Sequence, residues 1–171
     1  MSEIAKKVCM LGDFGVGKTS LIARYVRNTF SDKYLTTVGV KVDSKLVSAG
    51  GAELKLVLWD IAGKSALDTL NETYIKGSSG VILVCDGTRE STLRAAAYLQ
   101  MQVRSLLDDI PAVMLINKLD LVEKWEIAPK TIAELRKTMP LFETSAMTGD
   151  GVEAAFAALA EALLGGGASK S

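Results

Sequence analysis

The sequence predicts an α/β fold: a six-stranded, mostly parallel sheet with one antiparallel edge strand, flanked by five helices. Three observations predict it. Short apolar runs alternate with amphipathic stretches along the chain. Two of the runs are separated only by Ser48-Ala49-Gly50-Gly51, which reads as a hairpin turn. A glycine-rich loop stands between the first apolar run and the first amphipathic stretch.

Taken in order, residues 6–11 form a strand, the glycine loop follows, and residues 18–27 form a helix. Strands over 40–47 and 54–59 are joined by the hairpin turn and so pair antiparallel. A helix over about 67–75 leads to a strand at 81–85, a helix at 91–107 and a strand at 112–116. A helix at 129–138, a strand at 141–143 and a helix at 152–164 complete the series. Strands separated by helices must pair parallel through right-handed crossovers. The 171 residues suffice for one core, so residues 1–164 are expected to form a single domain and 165–171, Gly165-Gly166-Gly167-Ala168-Ser169-Lys170-Ser171, a flexible tail.

Composition narrows the function classes. Lys+Arg and Asp+Glu are both 20, and zero net charge offers none of the broad attraction that nucleic-acid binding requires. The absence of histidine argues against zinc chemistry and histidine base catalysis. Cys9 and Cys85 each lie in an apolar strand run and read as buried thiols in a reducing compartment. No signal-peptide core, no glycine at position 2 and no run long enough to span a bilayer is present, so a soluble cytoplasmic protein is expected.

The chemistry is carried by residues that follow strand ends, where ligands sit in such sheets. Gly12-Asp13-Phe14-Gly15-Val16-Gly17-Lys18-Thr19 matches the phosphate loop, Gly-x-x-x-x-Gly-Lys-[Ser/Thr]. A polyphosphate needs many inward N–H donors, so the backbone must wrap it closely, which Gly12 and Gly17 permit. Lys18 supplies a cation to the β/γ oxygens, the Thr19 hydroxyl can ligate Mg²⁺, and the helix starting there aims its positive end at the anion. Asn117-Lys118-Leu119-Asp120 follows the 112–116 strand. Its Asp120 can accept from guanine N1–H and the exocyclic amine, which adenine does not offer, while Lys118 can lay its stem over the base. Trp59-Asp60-Ile61-Ala62-Gly63 ends the 54–59 strand: Asp60 can hold Mg²⁺ through a water and the Gly63 N–H can meet the γ-phosphate. Glu143-Thr144-Ser145-Ala146 follows the 141–143 strand, with the Ala146 amide placed for guanine O6. Ser20, Ser145 and Met147 complete the expected contacts. Alone, each of the last three motifs is also an ordinary strand exit or solvated turn; order and spacing give them weight.

With these residues the chain resembles the Ras-superfamily small GTPases over about residues 6–164, and within them it is most similar to the Rab branch. The stretches that carry the likeness are 11–20, Thr29-Phe30-Ser31-Asp32-Lys33-Tyr34-Leu35-Thr36-Thr37-Val38-Gly39-Val40, 58–63, and Tyr74-Ile75-Lys76-Gly77-Ser78-Ser79-Gly80. The resemblance implies a P-loop NTPase small G domain that binds GTP and GDP with Mg²⁺. It implies that Thr37 is the switch I threonine, contacting Mg²⁺ and γ-phosphate in the GTP state. Phe30 would pack edge-on against guanine and Tyr34 would close over the phosphates, although Phe30 also reads as a core aromatic. Switch I would span about 30–39 and switch II about 61–74. Protein effectors, and exchange or activating proteins, would read them.

Three departures from the family pattern bear on activity. Lys64 stands where the family usually carries the glutamine that orients the attacking water; an ammonium has donors but no acceptor. It either neutralises γ-phosphate charge or points to solvent. Phe14 replaces a small residue and either obstructs hydrolysis or packs outward over the nucleotide. No cysteine follows Cys85 and no polybasic run occurs, so no direct membrane anchor is expected in this chain. Either a lipidated tail has been removed or the protein acts without a lipid, as a prokaryotic Rab/Ras-like relative would. The expected catalytic set is Lys64, Thr37, Lys18 and Gly63. Two readings stand: a switch that hydrolyses GTP slowly, and a nucleotide-dependent binding module with negligible hydrolysis. A P-loop kinase or ATPase is a third, which Asp120 argues against.

Overall fold

The computed structural model describes residues 4–28, 40–61 and 72–165. Its elements are β1 (Ile4–Gly12), α1 (Lys18–Arg27), β2 (Val40–Ala49), β3 (Ala52–Ile61), α2 (Glu72–Ile75), β4 (Gly80–Asp86), α3 (Glu90–Leu106), β5 (Ala112–Asn117), a 3₁₀ helix (Leu119–Lys124), α4 (Pro129–Arg136), β6 (Leu141–Thr144) and α5 (Val152–Gly165). The six strands form one sheet in the order β2-β3-β1-β4-β5-β6. β2 and β3 pair antiparallel around the Gly50-Gly51 turn, and the remaining neighbours pair parallel. The expected architecture is therefore the observed one.

Each parallel strand is an apolar run because helices cover both faces of the sheet; β4 is buried along its whole length. On one face Met10, Leu56, Leu58, Ile82 and Leu115 pack with Leu21, Tyr25, Phe156 and Leu159 of α1 and α5. The Tyr25 and Phe156 rings stack with centroids 3.9 Å apart. On the other face Cys9, Leu83, Met114 and Ile116 pack with Leu93, Leu99 and Val103 of α3 and Ile132 of α4. Both cysteines are free and buried, as expected.

One expectation needs correction at its edge and another is only partly described. The helix expected to 138 ends at Arg136, because the Lys137, Thr138 and Met139 amides turn back to the Glu134 and Leu135 carbonyls. The helix expected over 67–75 is described only from Glu72, with 67–71 outside the described residues. The 3₁₀ helix was not expected, since a single short turn has no apolar periodicity to betray it.

Candidate nucleotide-binding site

Register explains why the polar residues converge. Asp60 sits opposite Met10, Val84 opposite Gly12, Asp86 opposite Asn117, and Asn117 opposite Thr144. The carboxyl ends of β3, β1, β4, β5 and β6 thus form one row. Along it Asp60, Asp86, Asn117 and Thr144 are 3%, 1%, 2% and 0% exposed. Buried polar side chains in such a row require partners, and here they have them. The loop after β1 enters this row where β1 is flanked by β3 on one side and β4 on the other, the point at which chain order reverses and where ligands bind in open α/β sheets.

Two glycines shape that loop for different reasons. A Cβ on Gly12 would stand 2.4 Å from the Val84 carbonyl oxygen, so β4 approaches too closely for any side chain. Gly17 has φ 107°, in the left-handed region, and a Cβ there would meet Asn117 Nδ2 at 2.3 Å. Gly17 is also the N-cap of α1, which has no side-chain cap and no acidic residue in its first turn. The positive end of the α1 dipole is therefore not neutralised by a carboxylate of its own helix. Lys18 is 7% exposed. Its Nζ donates to the Gly12 carbonyl at 2.8 Å and to that of Asp13 at 3.5 Å. Burial pushes its pKa down, against the opposing charges of Asp60 and Asp13. The Asp13 carboxylate accepts from the Phe14 amide at 2.8 Å, and the Phe14 side chain stands 52% exposed.

The Thr19 hydroxyl donates to Asp60 Oδ2 at 2.5 Å. An alcohol and a carboxylate in contact are the hard oxygen donors that suit Mg²⁺, which takes one or two protein oxygens and completes its shell with phosphate and water. Among the described residues no cluster of three or more His, Cys, Asp or Glu could hold a metal ion.

At the other end of the row Asn117 binds two loops at once. Its Nδ2 donates to the Val16 carbonyl at 3.0 Å, and its Oδ1 accepts from Thr144 Oγ1 at 3.1 Å. Asp120 Oδ1 accepts from Ser145 Oγ at 2.8 Å, which sets the orientation of its carboxylate. Ser145 Oγ in turn accepts from the Thr148 amide. The loop carrying Ala146 and Met147 is braced from behind by Arg24 of α1, whose Nε and Nη2 donate to their carbonyls at 2.8 and 2.6 Å. Lys118 adopts φ 76° and pairs with Asp86 at 3.0 Å. Burial raises the Asp86 pKa, but hydrogen bonds from Thr88, Lys118 and Arg89 outweigh it and hold the carboxyl below its ordinary value.

The structure thus places Asp13, Phe14, Gly15, Val16, Gly17, Lys18, Thr19, Ser20, Asp60, Asn117, Lys118, Asp120, Ser145, Ala146 and Met147 at or just after the carboxyl ends of the strands. Phe30, Tyr34, Thr37, Gly63 and Lys64 lie outside the described residues. Sequence reasoning missed Arg24, Asp86, Arg89 and Thr144. Asp86 and Thr144 carried a usable signal, since each is a polar residue closing an apolar strand run at the functional end of the sheet.

Comparison with known proteins shows the family. The Ras family model matches residues 7–165. The chain belongs to the Ras family. It is 34% identical over 162 residues to the Ras-related protein Rab-1 of Theileria parva, covering 92% of this chain and 73% of the relative. It is 33% identical over 164 residues to the Ras-related protein Rab-13 of Canis lupus familiaris, covering 92% and 79% respectively. This member of the family is a Rab-like, GTP-binding small GTPase of the Ras superfamily, and its sheet with one antiparallel pair is that of a Ras-family G domain. Among the described residues no helix is long and apolar enough to cross a membrane.

Proposed function

We propose that this GTPase is a guanine-nucleotide switch that binds GTP and GDP with Mg²⁺ and hydrolyses GTP slowly. The observation that carries the reading is Asn117 bonded to Val16 of the phosphate loop, three residues before Asp120, whose carboxylate Ser145 orients. A base-reading carboxylate and a polyphosphate cradle are thereby tied into one unit. Asp120 accepts from guanine N1–H and the exocyclic amine, Ala146 donates to O6, and Lys118 covers the ring. Lys18 exchanges its Gly12 carbonyl contact for phosphate oxygens, whose charge favours the ammonium that burial disfavours. Thr19 and Asp60, with Thr37, are the residues that would hold Mg²⁺, which supplies charge neutralisation at the β/γ oxygens when bound.

Thr37 and Gly63 are proposed to hold switch I (about 30–39) and switch II (about 61–74) in the GTP state, and effectors or exchange proteins to read them. Two free, buried cysteines suit a reducing compartment such as the cytoplasm. Slow turnover follows from Lys64, which lacks the acceptor that orients water. Phe14 in the phosphate loop together with Lys64 is the feature in favour of a second reading, a nucleotide-dependent binding module with negligible hydrolysis. Single-turnover conversion of bound GTP, followed by chromatography, separates them. Slow but measurable GDP formation supports the switch, and none over many hours supports the binding module.

A further inference from the structure

Asp86 and Arg89 carry a network that no motif accounts for. Asp86 is buried at the end of β4, and its Oδ1 accepts from the Thr88 amide at 2.8 Å and the Thr88 hydroxyl at 2.7 Å. Its Oδ2 takes two cations, Lys118 Nζ at 3.0 Å and Arg89 Nε at 3.0 Å. Arg89, just before α3, then reaches 75 residues back along the chain, where its Nη2 donates to the Phe14 carbonyl at 3.0 Å. One guanidinium therefore joins the phosphate loop to a buried carboxylate, and that carboxylate holds the lysine of the base-reading motif.

We propose that Arg89 is a positioning residue that locks the phosphate loop at Phe14 to Lys118 through Asp86, and so sets how long a bound guanine nucleotide is retained. The inference rests on the nucleotide-switch reading above. The argument is geometric. Arg Nε and Nη2 point in divergent, fixed directions, so one side chain satisfies carboxylate and carbonyl together; an ammonium is a point charge on a flexible stem and serves one of them well. Release of nucleotide requires the phosphate loop and the base loop to separate, and Arg89–Asp86–Lys118 is a second tie between them, besides Asn117. A guanidinium already paired with Asp86 is also not free to swing into the phosphates. Its contribution is to retention rather than to chemistry.

The test loads the parent, Arg89→Ala and Arg89→Lys with a fluorescent GDP analogue and chases with excess GDP in Mg²⁺. Loss of one charge-assisted hydrogen bond to the loop should raise the dissociation rate of Arg89→Ala by roughly tenfold, with the association rate within about twofold of the parent. Arg89→Lys keeps the charge beside Asp86 but not the bridge, and should stay at least about fivefold faster than the parent. That variant also decides the matter if Arg89→Ala does not fold. Dissociation of Arg89→Lys at the parental rate overturns the proposal, because charge alone would then suffice. So does an unchanged rate in Arg89→Ala. A parent that fails to retain the GDP analogue at all refutes the switch reading itself, and the inference with it, which is a different result from a parent that binds and an Arg89 variant that makes no difference.

Discussion

Asn117 gives the sharpest stability prediction, because its two bonds are buried and shared between elements far apart in sequence. Asn117→Ala removes the donor to the Val16 carbonyl and the acceptor of the Thr144 hydroxyl, both on residues without measurable exposure. A buried polar group that loses its partner costs about 1–3 kcal/mol. Two such losses, with the small void left behind, give roughly 2–5 kcal/mol. That is a large part of the ~5–15 kcal/mol by which a domain is usually stable. Thr144→Val removes only the hydroxyl and should cost about 1 kcal/mol. Urea unfolding followed by tryptophan fluorescence, with nucleotide and Mg²⁺ held constant, measures both. The double variant should cost less than the sum of the singles, since one bond is counted in each. A loss below about 1 kcal/mol in Asn117→Ala would refute the claim that this side chain ties the base strand to the phosphate loop.

Further predictions follow from other residues. Lys64→Gln should raise single-turnover GTP hydrolysis roughly tenfold, because glutamine bridges water and γ-phosphate where lysine only donates; a slower variant would make Lys64 itself catalytic. Asp120→Asn should shift preference from guanine toward xanthine, whose 2-oxo group accepts from the new amide, and competition between the two nucleotides measures it. Alkaline conditions should destabilise the fold through Cys85 and Tyr25, both pushed up to about 12 by burial. Their folded pKa values exceed the ordinary 9.0 and 10.0, so the unfolded chain holds fewer protons and stability falls as pH rises from about 9 to 12. Melting temperature against pH checks that sign. A thiol reagent at pH 8 should likewise leave Cys85 unlabelled until the chain is unfolded.

How far the sequence was legible depended on whether a feature was local. The strands over β1, β4 and β5 were readable because both faces are covered, which makes each a continuous apolar run. The start of α1 was readable because the glycine loop dictates it. Gly17 was legible as a loop glycine, but the reason no side chain fits there, Asn117 Nδ2 lying against it, is a contact across 100 residues. The bracing arginines were not legible for the same reason. In sequence Arg24 looks like a solvated helix charge and Arg89 like a solvated loop charge, and only the fold brings their guanidinium groups to the Ala146, Met147 and Phe14 carbonyls. Asp86 was visible as a polar residue closing an apolar strand, but its partners Thr88, Arg89 and Lys118, which let a carboxylate survive burial there, were not.

The central claim is that a base-reading carboxylate at Asp120 and a phosphate cradle at residues 12–19 form one guanine-specific site. Titration of the nucleotide-free protein with fluorescent GDP and fluorescent ADP in Mg²⁺ tests it most directly. A site built on hydrogen bonds to the base should discriminate by about 10⁴-fold or more, because adenine would cover the Asp120 carboxylate without pairing it. The account predicts tight GDP binding and no saturable ADP binding at micromolar concentrations. Equal affinities for the two would contradict it.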